Sequence, residues 1–122
     1  MLATFVLDSA GEPQEEPDLA EAYGFYQSMD RMDPAWRCLK ATALVDATGR
    51  ACKVSTIFLG LAPYHKVTKL PTPYQTIIFG GERDSQCRRW HTRGEAEEGH
   101  DALVALISAE ALAANGDDEL LV

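Results

Sequence analysis

Two runs decide the fold: WRCLKATALV at Trp36–Val45 and CKVSTIFLGL at Cys52–Leu61, separated by the turn residues DATG at Asp46–Gly49. Both are rich in the β-branched, aromatic and small apolar side chains that strands accept, and a turn this short joins antiparallel neighbours. In the first run Leu39, Ala41, Ala43 and Val45 alternate onto one face, with Arg37 on that face near the strand end. In the second, Cys52, Val54, Thr56 and Phe58 share a face while Ile57 and Leu59 take the other. A strand apolar on both sides is expected at the centre of a sheet that is covered twice.

Outward from this hairpin the pattern continues. Tyr74–Phe79 and Gln86–His91 read as a second hairpin across the Gly80–Ser85 turn, and Thr4–Leu7 as a short first strand. Gly11–Pro17 is a loop dense in proline and acid, and Pro17 suits the first position of a helix with Asp18 and Glu21 in its first turn. The apolar face of that helix is Leu19, Ala22, Tyr23, Tyr26 and Met29, and Asp33-Pro34 ends it. The final helix opens on a capping box, Thr92-Arg93-Gly94-Glu95. Ala96, His100, Leu103 and Ile107 form one face, and Asn115-Gly116 is the expected stop. The order is β-α-β-β-β-β-α: an α+β fold with a mainly antiparallel sheet of about five strands packed with two helices. One domain is expected over 1–115, followed by an acidic tail over 116–122.

Charge is sorted along the chain into three blocks. Residues 1–33 carry Asp8, Glu12, Glu15, Glu16, Asp18, Glu21, Asp30 and Asp33 against Arg31 alone. Residues 34–94 carry ten bases against Asp46, Glu82 and Asp84, and residues 95–122 carry eight acids and no base. On the expected elements, the sheet and its loops are basic while the helices and tail are acidic. With a net charge of −8 over 122 residues, nonspecific nucleic-acid binding is not expected. No apolar run approaches the ~20 residues of a membrane span, and Met1–Leu7 lacks a signal-peptide pattern, so a cytoplasmic protein is expected.

The chemistry-bearing residues offer no catalytic signature. Cys38, Cys52 and Cys87 have no zinc-ligand spacing and read as reduced thiols in or near strands; Cys87, beside Arg88 and Arg89, is the one to consider as reactive. No metal or cofactor is expected. His100 lies on an apolar helix face, where a satisfied core histidine is expected, whereas His65 sits in the long Ala62–Pro73 loop and is a candidate functional group. Lys66, Lys69, Arg83, Arg88 and Trp90 join His65 as a candidate ligand-binding set: the lysines and Arg83 supply charge, Arg88 a planar fork and Trp90 a stacking face for an anionic nucleotide. The opposing reading is that these bases neutralise the chain's own acidic helices. Glu97, Glu98 and Asp101 fall opposite the Leu103/Ile107 stripe and form a candidate partner-binding surface, either a solvated face or one that imitates the phosphate charge of DNA.

Three strings add a resemblance: Val54-Ser55-Thr56-Ile57-Phe58-Leu59-Gly60-Leu61, Thr76-Ile77-Ile78-Phe79-Gly80-Gly81, and Arg89-Trp90-His91-Thr92-Arg93-Gly94-Glu95-Ala96-Glu97-Glu98-Gly99-His100. In order and spacing they resemble a family of small, largely uncharacterised proteins of tailed bacteriophages and prophages. Phe25-Tyr26 followed by Arg31 fits as well. The chain departs from that pattern at Ala62-Pro63, where Asp-His is usual, and at Gln75, where Glu is usual. The resemblance implies a shared fold and a phage origin and carries no reaction. The expected function is a non-enzymatic phage accessory protein that binds a host or defence-system component, with sequestration of a small anionic nucleotide as the alternative and an enzyme using His65 or Cys87 as the third. A homodimer pairing the basic sheet of one subunit with the acidic helices of the other would bury both charge blocks.

Overall fold

A computed structural model describes residues 2–120, with side chains described over 2–114. The elements run β1 (Leu2–Leu7), β2 (Pro13–Glu15), α1 (Leu19–Met32), β3 (Cys38–Val45), β4 (Ala51–Phe58), β5 (Leu61–Pro63), β6 (Tyr74–Phe79), β7 (Cys87–Trp90) and α2 (Arg93–Leu120). They form an α+β fold with two antiparallel sheets, a three-stranded one in the order β2-β1-β5 and a four-stranded one in the order β3-β4-β6-β7.

Both short strands, β2 and β5, fall in segments read as loop or as continuous strand. The run Cys52–Leu61 does not stay in one sheet, because Gly60 takes φ 83° and turns the chain toward β1. A side chain at 60 would collide with the Tyr26 ring, so the turn needs glycine both for its backbone and for the close approach. Leu61–Pro63 then pairs with Leu2–Thr4, and Phe5 N–H donates to Gly60 O at 2.7 Å.

Helix α1 begins at Leu19 rather than at Pro17. Asp18 is its N-cap, accepting from the backbone N–H of Ala20 at 2.9 Å and of Glu21 at 3.3 Å. Ala22 and Tyr26 are buried as expected, but Leu19 and Tyr23 stay exposed. Phe25 packs instead, edge-on to Trp36, and Tyr26 donates its hydroxyl to Phe5 O at 2.5 Å, tying α1 to β1. Arg37 lies over the Tyr26 and Trp36 rings and donates to Leu59 O at 2.7 Å, so its charge is spent inside this aromatic cluster.

A bulge between Cys38 and Lys40 resets the alternation of β3. Thr42 and Leu44 therefore turn toward α2, while Ala41, Ala43 and Val45 lie on the other face and are exposed. Helix α2 crosses β3, β4, β6 and β7, placing Leu103 and Ile107 on Cys52, Val54 and Ile78. The opposite sheet face, carrying Ala43, Lys53 and Phe79, has neither helix on it, so β4 is covered once and not twice. α2 also continues through Asn115-Gly116 to Leu120. Ala109, Ala111, Ala113 and Ala114 favour helix strongly enough to carry it past that stop. The expected acidic tail side chains lie outside those described.

Candidate functional site

Beneath α2 runs a chain of buried polar groups. Trp90 Nε1–H donates to Thr76 Oγ1 at 2.9 Å, Thr76 and Thr56 share a hydrogen bond of 2.6 Å, and Thr56 Oγ1 meets His100 Nδ1 at 2.8 Å. His100 Nε2 meets Thr42 Oγ1 at 2.8 Å. His100 is 1% exposed and both its ring nitrogens have partners, so it is a core histidine that fastens α2 to β3 and β4. Burial pushes its pKa down, keeping the ring neutral.

Acids of α2 are met by bases of the sheet and its turn at two points, and by the helix's own first residue at a third. Lys40 pairs with Asp101 at 2.9 Å, Arg93 with Glu97 at 3.0 Å, and Arg83 clasps Glu110 with both terminal nitrogens. Asp46 acts likewise on the backbone: it accepts from the N–H groups of Thr48, Arg50 and Glu82, joining the β3–β4 turn to the β6–β7 turn. The Thr48 hydroxyl, then the Glu82 N–H, pull its pKa down to about 2. Two members of the acidic set, Glu97 and Asp101, thus face bases of their own chain, and Glu98 alone of the three has no ion pair among the described residues.

The six ligand-set residues are not brought together. Arg83 is committed to Glu110. Arg88 pairs in register with Thr76 on the helix side and lines a groove of about 270 Å³ with Gln86, Cys87 and Leu103. Trp90 does not line that groove: its N–H is taken by Thr76 and its ring lies against Gly99. Lys69 occupies a left-handed turn position, φ 61°.

His65 and Lys66 do meet, in a second and larger cleft of about 480 Å³ lined by Pro63, Tyr64, Val67, Thr72 and Arg89. The loop that forms it is ordered by its own bonds. His65 Nδ1 accepts the N–H of Val67 at 3.1 Å and of Thr68 at 3.3 Å, Thr72 Oγ1 donates to Pro63 O, and His91 Nδ1 lies 2.6 Å from Pro71 O. His65 therefore shapes the turn. Lys66 and Arg89 have no ion pair among the described residues, the cleft contains no acid, and Tyr64 and Val67 are exposed beside them.

Arg89 belongs to the basic set of the sequence but not to the expected ligand-binding residues, and nothing in the sequence singles out Tyr64 or Val67. Strand alternation does separate Arg88 from Arg89, but only the pairing of Arg89 with Gln75 shows which of the two turns from the helix toward the loop. Cys38 and Cys87 are exposed thiols, whereas Cys52 is buried and burial raises its pKa. Among the described residues no group of three or more His, Cys, Asp or Glu is placed to hold a metal ion, and no helix is long and apolar enough to cross a membrane. Comparison with protein-family models, curated proteins and solved structures finds no match to this chain.

Proposed function

We propose that this chain is a non-enzymatic phage accessory protein that binds a host or defence-system component in the host cytoplasm, and that the cleft between the Tyr64–Thr72 loop and Arg89 is its contact surface. One observation carries the reading. Lys40, Arg83 and Arg93 are paired with acids of α2, while Lys66 and Arg89 converge on an acid-free cleft without such partners. Apolar and aromatic side chains of the cleft stand exposed beside them, Val67 at 82% and Tyr64 at 38%. Cationic groups interleaved with exposed apolar ones suit an acidic, partly apolar protein surface.

The same cleft supports the alternative, an anionic nucleotide held by Arg89 and Lys66. Two arms separate the readings. Affinity capture from host lysate should recover a protein with the wild type and lose it with Lys66→Glu/Arg89→Glu, at equal melting temperatures. A nucleotide panel should raise the melting temperature only under the alternative, with a shift that shrinks as salt is added. Equal capture by the double variant, together with no nucleotide shift, would remove the cleft as the working surface.

A further inference from the structure

β3 is an outer strand of the four-stranded sheet. Asp46 N–H donates to Arg50 O at 3.0 Å and Phe58 N–H to Arg37 O at 2.8 Å, so the even-numbered residues of β4 bond to β3. In the antiparallel alternation, Lys40, Thr42 and Leu44 then direct their backbone groups toward β4, and Ala41, Ala43 and Val45 direct theirs away from the sheet. None of those three residues has another backbone hydrogen bond among the described residues.

The remaining edges carry features that discourage pairing. β7 is four residues long with Arg88 and Arg89, β2 contains Pro13 and Glu15, and β5 ends on Pro63. β3 has eight residues and no proline, and its one charged residue, Lys40, is held by Asp101 on the helix side. A long, neutral edge of this kind is a template for another strand.

We infer that β3 pairs antiparallel with β3 of a second copy, about a two-fold axis at Ala43. Ala43 then stands opposite Ala43 and Ala41 opposite Val45, so every outward N–H and C=O of these residues finds a partner. Small apolar side chains meet on the open face. On the helix face Thr42 stands opposite Leu44, and Lys40 opposite Asp46, so no like charges are opposed. The two-fold makes the contact self-complementary and closes the assembly at two copies. The cleft at Arg89 lies at the other side of the sheet, so a dimer would present two of them. This inference stands independently of what the cleft binds.

Light scattering on the full chain tests it: the expected mass is twice the 13.4 kDa of one chain. Ala43→Arg places like charges across the axis without touching the β3–β4 ladder and should give a monomer with an unchanged circular dichroism spectrum. An equal mixture of Ala43→Arg and Ala43→Glu should restore the dimer. Ala43→Pro, which removes an outward N–H, should also be monomeric, and serves if the charged variants fail to fold. The amides of Ala41, Ala43 and Val45 should exchange slowly in the wild type and rapidly in the monomeric variants. A monomeric wild type, or a dimer that survives both Ala43→Arg and Ala43→Pro, overturns the inference.

Discussion

The Trp90 ring lies directly against Gly99, so close that a Cβ at 99 would fall inside the six-membered ring's van der Waals envelope. Glycine at this position lets α2 approach β7, and the approach seats the indole N–H on Thr76 at 2.9 Å. Gly99→Ala must displace the helix or the indole, at a cost of about 1–3 kcal/mol for overpacking a fitted site. Chemical denaturation measures the loss, and Trp fluorescence should shift with it. A variant as stable as wild type would show that the helix does not seat this closely.

His100 makes stability depend on pH. Burial lowers its folded pKa below the ordinary 6.5, so on acidification the unfolded chain binds the proton first. Its contribution is full above about pH 6.5 and declines as pH falls through that value toward the lower folded pKa. Asp46, with a folded pKa of about 2, is lost only in a more acid window, below its ordinary 3.8. The melting temperature should therefore fall between pH 7.5 and 5, and His100→Gln should flatten that slope. An equal slope in the variant would assign the effect elsewhere.

Thr92 caps α2 through the expected box: it accepts the Glu95 N–H at 3.1 Å, and Glu95 accepts the Thr92 N–H at 3.2 Å. Thr92→Ala should cost about 1 kcal/mol, read as a lower denaturation midpoint. An unchanged midpoint would show that the helix does not depend on this start.

Reversing Glu97, Glu98 and Asp101 to lysine sets new cations beside Arg93 and Lys40. These pairs are well exposed, so the loss should be modest, under about 1–2 kcal/mol, and should shrink with salt. An increase in stability would mean that the acidic helix repels itself more than the sheet attracts it.

The elements with strong local signals were legible in the sequence. The run Cys52–Phe58 stands as a central strand, though covered by a helix on one face only, and Thr92–Glu95 states its helix start in four residues, where the cap is found. Failures came where one residue overrides a pattern through contacts distant in sequence. Gly60 cuts a continuous apolar run because Tyr26, 34 positions earlier, packs on it. The bulge at Leu39 moves Thr42 and Leu44 to the helix side, which the alternation alone places outside. At the site, the charge blocks announced a basic sheet facing acidic helices; the pairs of Lys40 with Asp101 and of Arg83 with Glu110 join sheet and turn to α2, while Arg93 pairs with Glu97 within α2 itself. Which cations stay unpaired depends on how the 64–72 loop folds over Arg89, and its ordering bonds from His65, Thr72 and His91 leave no local pattern.

On the proposed reading, a partner docks at the loop cleft and not on the acidic helix. Site-specific photo-crosslinking in the host measures this directly, with the photoreactive residue at Val67 in one variant and at Glu98 in the other. Both positions are exposed, so neither substitution disturbs the core. A protein adduct formed from Val67 and absent from Glu98 is the predicted result; an adduct from Glu98 with none from Val67 would contradict the account.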